Sequence, residues 1–191
     1  EFEKLYFKQR SFMFNKWPNS SDINTSQLKI GFVSGDLRNH PVGFFIENII
    51  YALNKNKTML FAYSNSTLET ELTLRVKPNF NKWYIVKSLT DEQLAQQIYN
   101  DGIDILIDLS GYTAHNRLNM FAYKPAPIQV SWLSFFASTG VSFIDDFIAD
   151  PIAIPKDKQF YFSEKIYYMP ETRLCFTPPN DDIVAPNDLP L

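Results

Sequence analysis

From residue 28 onward, short apolar runs alternate with stretches of helical periodicity, and this alternation limits the possible folds more than any other feature of the chain. Residues 28–34 read as a strand, 42–53 as a helix, 59–63 as a second strand, 68–76 as a second helix and 83–86 as a third strand. Thr90-Asp91-Glu92-Gln93 forms a capping box that opens a helix, and Gly102 ends it. Residues 103–109 are a nearly unbroken apolar strand carrying Asp104 and Asp108 near its ends; 116–123 is a helix stopped before Pro125, and 128–133 is a fifth strand. Residues 143–148 and 165–169 are shorter strand candidates. Apolar strands joined by helices demand a mostly parallel sheet covered on both faces. The expectation is an α/β, Rossmann-like, doubly wound fold with strand order 3-2-1-4-5 at its centre, extended by a further strand or two.

In such a sheet, ligands bind at the carboxyl ends of the strands, beside the point where strand order reverses. Strands one and four flank that point, and the segments after them are the polar stretches 34–41 and 110–117. The chain has 2 histidines, and His40 and His115 fall one in each segment. Asp36, four residues before His40 in a loop entering a helix, could orient and polarise an imidazole for acid–base work. Pro41 would then stand at the first turn of that helix, where its missing N–H costs nothing. The same spacing is equally that of a helix-capping aspartate with a histidine bonded to backbone. His115 reads as a catalytic partner or as an exposed loop residue. Arg38 and Arg117 read as phosphate clamps or as carboxylate-paired arginines. Asp36, His40 and His115 have donor types that zinc accepts, but nothing in their spacing is specific to a metal, and none is expected.

Other chemistries drop out. Neither a G-x-G-x-x-G nor a P-loop follows a strand, and Ser34, Ser110 and Ser134 lack the flanking glycines of a nucleophile elbow. A net charge of -3 without a basic stripe disfavours nucleic acid and anionic membrane as partners. No apolar run has the length of a bilayer span. Cys175 is the only cysteine of the 191 residues, which excludes an intrachain disulfide and favours a reducing, cytoplasmic setting. Three N-x-S/T triplets, at Asn19, Asn24 and Asn65, carry little weight without a secretory signal. Residues 1–17 place Phe2, Leu5, Tyr6, Phe12, Phe14 and Trp17 in an amphipathic helical pattern ended by Pro18, and the Asn- and Ser-rich stretch 18–27 reads as a linker.

Several segments together resemble the catalytic region of O-GlcNAc transferases and their bacterial and plant SPINDLY-type relatives. They are Ile30-Gly31-Phe32-Val33-Ser34-Gly35-Asp36-Leu37-Arg38-Asn39-His40-Pro41-Val42-Gly43, then Asp101-Gly102-Ile103-Asp104-Ile105-Leu106-Ile107-Asp108-Leu109-Ser110-Gly111-Tyr112-Thr113, and Asn116-Arg117. Lys124-Pro125-Ala126-Pro127-Ile128-Gln129-Val130-Ser131-Trp132-Leu133, Ser163-Glu164-Lys165 and Tyr168-Met169-Pro170 follow in the family's order. The resemblance implies one lobe of a two-lobe GT-B glycosyltransferase. On that reading residues 1–27 are an amino-terminal helix and linker leading from tetratricopeptide repeats, 28–177 the amino-terminal catalytic lobe, and 178–191 the connection toward a second lobe. That second lobe would hold most of the nucleotide, so this chain alone would bind a sugar nucleotide weakly and be inactive.

The resemblance further implies an inverting reaction that moves a sugar, with GlcNAc from UDP-GlcNAc as first choice, to Ser or Thr of acceptor proteins. No cofactor beyond the donor is implied. It gives Asp36 and His40 the catalytic positions, and Pro41, Val42, Tyr112, Thr113, Leu133, Ser134 and Phe136 the substrate-facing ones. The family commonly reads Trp-Leu-Gly-Tyr-Pro-Gly-Thr after strand five, whereas this chain reads Trp132-Leu133-Ser134-Phe135-Phe136-Ala137-Ser138-Thr139, without either glycine or the proline. Filling glycine positions near the sugar narrows the space there. A different donor or acceptor, such as a fucose donor or an asparagine acceptor, and a non-catalytic protein-binding lobe are the alternative readings.

Overall fold

The computed structural model describes residues 12–18, 27–56 and 58–178. Among the described residues there are seven strands: β1 (Lys29–Ser34), β2 (Met59–Ser64), β3 (Lys82–Ile85), β4 (Ile105–Asp108), β5 (Ile128–Ser131), β6 (Asp146–Ala149) and β7 (Lys165–Tyr168). They form one sheet in the order β3-β2-β1-β4-β5-β6-β7, and every pairing is parallel. The expected central order is therefore present, and it is extended by two strands. Among the described residues, four α-helices lie on the connections from β1 to β5, α1 (Pro41–Lys55), α2 (Glu71–Val76), α3 (Asp91–Asp101) and α4 (Leu118–Phe121), and 3-10 turns occur at Lys77–Asn79 and Lys156–Tyr161.

The period of two along each strand explains why both faces are covered. Ile30, Phe32, Leu60, Ala62 and Ile107 point to one face and pack with Val42, Ile46 and Ile50 of α1 and Leu72 and Val76 of α2. Their neighbours Val33, Phe61, Tyr63 and Leu106 point to the other and pack with Leu94, Ala95 and Ile98 of α3 and Leu118, Met120 and Phe121 of α4. A smaller cluster of Phe147, Ala149 and Ile154 fills the β6–β7 end. The α3 capping box is formed as read, with Thr90 and Gln93 bonding reciprocally, and Gly102 ends the helix in the left-handed conformation.

The amino-terminal helix is a correction in its described part. Residues 12–17 are not helical. Their apolar residues are spent on the domain instead: Phe14 donates its N–H to the Tyr123 carbonyl at 2.9 Å and stacks on Tyr99 of α3 with ring centroids 4.0 Å apart. Trp17 Nε1 donates to the Lys124 carbonyl at 3.1 Å. Aromatic burial against a ready-made surface outweighs local helical periodicity in so short a segment. Residues 1–11, most of the expected linker, and 179–191 lie outside the described residues.

Candidate active site

The carboxyl ends of β1, β4 and β5 open into three loops, and all the candidate residues lie on them or on the first turn of α1. After β1, the chain turns at Ser34, whose Oγ accepts from the Asp36 N–H at 2.9 Å. Asp36 is buried, and its Oδ1 accepts from Arg38 Nη2 at 2.8 Å. Arg38 Nε in turn donates to the Gly35 carbonyl at 3.3 Å. His40 is the cap of α1: its Nδ1 accepts from the Val42 N–H at 3.3 Å, and Pro41 occupies the first turn. Neutral His40 in this pose carries its proton on Nε2, which lies 3.9 Å from Asp36 Oδ1. So the histidine, not the aspartate, caps the helix, and Asp36 stands behind the imidazole on its protonated side. Asn39 anchors the loop from below. Its N–H donates to Thr70 Oγ1 at 2.8 Å, its Oδ1 accepts from the Leu72 N–H at 3.1 Å, and Thr73 Oγ1 donates to the Leu37 carbonyl at 3.0 Å.

After β4, Asp108 shapes the turn. Its carboxylate is fully buried and accepts from the Ser110 N–H at 3.1 Å and the Gly111 N–H at 2.7 Å. Burial pushes it up to about 6, against the downward pull of those two amides. Gly111 is required twice over: its φ is +57°, and a Cβ there would come within 2.3 Å of the Phe135 Cβ. Tyr112 therefore lies against the next loop, with its ring edge-on to Phe135 and its hydroxyl donating to the Thr139 carbonyl at 2.6 Å. Burial and then the Glu164 carboxylate push the Tyr112 phenol up to about 12, so it stays a donor.

The Asp108 shift makes a stability prediction. A folded-state pKa near 6 above an ordinary 3.8 means that the folded chain holds a proton that the unfolded chain releases. Its contribution is full below pH ~4 and is lost as pH rises through about 6, a difference of about 3 kcal/mol. Denaturant titrations of wild type and Asp108→Asn from pH 4 to 7 are expected to show wild type losing stability relative to the variant across that window. A constant difference would refute the assignment.

After β5, Leu133 adopts φ +84°, and the Ser134 N–H donates to the Trp132 carbonyl at 3.3 Å, closing a tight three-residue turn around it. A branched residue in that conformation is strained. Leu133 is held there by its buried side chain and by Arg173, whose Nη1 donates to its carbonyl at 3.2 Å. Ser134 and Ala137, by contrast, do not have positive φ. What a glycine would change at those two positions is space, not backbone freedom. Phe136 is 77% exposed beside Phe135. The loop is pinned by Glu164, which precedes β7. Its buried carboxylate accepts from the Thr139 N–H at 2.6 Å, from Ser138 Oγ at 2.7 Å and from the Thr139 hydroxyl.

These contacts tie the predicted residues together in sequence: Gly35 lies against His115, so the β1 and β4 loops touch, and Tyr112 joins the β4 loop to the β5 loop. Val42 and Leu133 bury their side chains in the core, so they offer the crevice backbone only. Pro41 is exposed, and Thr113 turns its hydroxyl to the Ser110 carbonyl at 2.8 Å. Arg117 is carboxylate-paired. It bonds Asp91 at 2.7 Å, the Val86 and Leu89 carbonyls and Asn65, lacing the β2 and β3 loops to β4. Glu164 was not found as a site residue from the sequence, because its partners lie 25 residues away; the Ser163-Glu164-Lys165 match was the one available signal.

The model of glycosyl transferase family 41 matches residues 3–177. The chain is 33% identical over 189 residues to a probable UDP-N-acetylglucosamine–peptide N-acetylglucosaminyltransferase SPINDLY of Petunia hybrida, covering 92% of this chain and 20% of that protein. It is 34% identical over 151 residues to a UDP-N-acetylglucosamine–peptide N-acetylglucosaminyltransferase of Caenorhabditis elegans, covering 78% of this chain and 13% of that protein. Among solved structures, a mutant of the Thermobaculum terrenum O-GlcNAc transferase superposes with a TM-score of 0.78 at 37% identity, covering 81% of this chain and 30% of that one. The chain thus spans about a fifth or less of the length of the curated relatives it matches.

Proposed function

Because the chain belongs to glycosyl transferase family 41, we propose that it is the amino-terminal catalytic lobe of an inverting glycosyltransferase that moves GlcNAc from UDP-GlcNAc to Ser or Thr hydroxyls of proteins. The observation that carries this reading is the Asp36–His40 pair at the carboxyl end of the central strand. The Nε2–H of His40 faces Asp36 Oδ1, and Nδ1 is held only by a long 3.3 Å bond from Val42. Releasing such a bond costs about 1 kcal/mol or less. An acceptor hydroxyl can then take its place at Nδ1. As the hydroxyl oxygen bonds to the sugar C1, the C1–O bond to the diphosphate breaks, configuration inverts and UDP leaves. The hydroxyl proton passes to Nδ1, and Asp36 stabilises the imidazolium that results. The His40 side chain is one-third exposed and Asp36 nearly covered, which fits a base in front and a stabiliser behind.

On this reading the diphosphate is held mainly by a second lobe, tetratricopeptide repeats precede residue 1, no cofactor is used and the protein works in the cytoplasm. Among the described residues, no helix is long and apolar enough to cross a membrane. The test is transfer of labelled GlcNAc by the full-length protein to Ser- and Thr-containing peptides, alongside a screen of other sugar nucleotides and of asparagine acceptors.

The β5 loop supplies a sharper test of the donor. Ser134→Gly with Ala137→Gly is expected to raise kcat/KM for UDP-GlcNAc several-fold by freeing space near the sugar. A fall in that value, with another sugar nucleotide the better donor of the wild type, would make the loop a device that selects a different sugar.

A further inference from the structure

The carboxyl ends of β1 to β4 enclose a cleft of about 250 Å³, lined by Gly35, Arg38, Asn65, Ser66, Lys87 and His115 among others. Its walls are fixed from beneath. Partly buried Arg117 donates to Asn65 Oδ1 at 3.2 Å, and Asn65 Nδ2 donates to the His115 carbonyl at 2.9 Å. That hold keeps His115 at φ +61°, with its Cβ so close to Gly35 that a Cβ there would lie 3.0 Å away. The histidine is strained, braced at its backbone and exposed at its ring.

The cleft is cationic. Lys87 is exposed, and neither it nor the His115 ring has a hydrogen-bond or ionic partner among the described residues. Arg38 is braced by Asp36 through Nη2 and by the Gly35 carbonyl through Nε, which leaves Nη1 unengaged. Among the described residues, no carboxylate lines the cleft, and Asp36 and Asp91, which bond Arg38 and Arg117, are already paired. One positive charge at Lys87 thus has no counter-charge, and the Asn65 and Ser66 side chains add polar groups beside it.

We propose that this cleft is an acceptor-side anion subsite, which takes an Asp or Glu carboxylate of the polypeptide being modified. The proposal rests on the glycosyltransferase reading above and deepens it. Arg38 touches both Asp36 and the cleft, so the two sites adjoin. Arg38 lines the cleft and bonds the same Asp36 oxygen that His40 faces, so the carboxylate would belong to a residue close in sequence to the acceptor Ser or Thr. The donor diphosphate is the other possible source of the anion, and the experiment separates the two.

Full-length protein is given matched peptides with Asp, Asn or Lys at positions two and three residues from the acceptor Ser, at low salt. Wild type is expected to favour Asp over Asn by about fivefold in kcat/KM, the scale of a partly screened ion pair. Lys87→Gln brings that ratio to about one, and Lys87→Glu turns the preference toward Lys peptides. The KM for UDP-GlcNAc stays the same in both variants. Lys87 is exposed, so neither change threatens folding. Transfer by wild type without any charge preference overturns the subsite alone. A raised donor KM with the peptide preference intact assigns the cleft to the diphosphate and overturns it too. Transfer to no peptide at all overturns the glycosyltransferase reading, and the subsite with it.

Discussion

In the full-length protein, His40→Asn is expected to lower kcat by about 10²-fold or more while leaving thermal stability close to wild type. The two effects separate because His40 has two jobs on two different sets of atoms. As cap of α1 it accepts the Val42 N–H through Nδ1. Asparagine is among the best residues for that position, since its side-chain oxygen makes the same bond. As a base it must take a proton near neutral pH, which an amide cannot do. His40→Ala removes both functions and is expected to cost about 1 kcal/mol of stability in addition. Asp36→Asn provides the cross-check: the imidazolium formed during transfer loses its stabilising carboxylate, so kcat should fall although the His40 cap of α1 is intact. Full turnover in His40→Asn would show that the histidine is only a cap, and would end the proton-transfer role proposed for it.

Glu164→Ala is expected to produce the largest loss of stability, about 3 kcal/mol. The carboxylate is buried and accepts from a backbone amide and at least two hydroxyls of residues 138 and 139. Hydrogen bonds to a charged group contribute about 1.5–3 kcal/mol each, and a buried amide left without an acceptor adds to the loss. In a domain of this size that corresponds to a fall in melting temperature of roughly 6–12 °C. Glu164→Gln keeps one acceptor oxygen and should lose about half as much. Catalysis should fall in the same order, because Tyr112 is seated through the Thr139 carbonyl and loses its fixed position when residue 139 is released. Calorimetry on the three proteins decides the matter. Equal melting temperatures would show that β7 does not hold the β5 loop.

What could be read from the sequence follows the range of the forces involved. The strand–helix alternation, the Thr90 capping box and the Gly102 stop are local signals, and each is realised at its place. Sheet order followed because parallel crossovers leave few arrangements open. At the site, the sequence brought 34–41 and 110–117 to the same edge, yet it left open whether Asp36 or His40 served the helix. That choice depends on rotamers and on the Arg38 guanidinium occupying Asp36, which no spacing reveals. The helix expected over residues 1–17 is not formed in its described part, 12–17, because periodicity reports only that one side is apolar. Here that side is a strip of aromatics docked on Tyr99 and Tyr123. Glu164, Arg117 and the strained Leu133 are long-range features: each depends on a partner that is distant in sequence and near only after folding.

The distance between Glu164 and the loop it holds also sets an order of assembly. β1, β2 and β4 can pair, bury both faces and close around α1 to α3 before residue 130 has left the ribosome. The loop carrying Leu133 to Thr139 cannot settle then, because its carboxylate partner is 25 residues further on and Arg173 is 40 residues beyond Leu133. During synthesis the nascent lobe therefore passes through a stage in which the sheet is formed and the crevice is unfinished. The Phe135 ring, which packs edge-on to Tyr112 in the finished lobe, is unanchored at that stage, available to chaperones or to a neighbouring nascent chain, until β7 arrives.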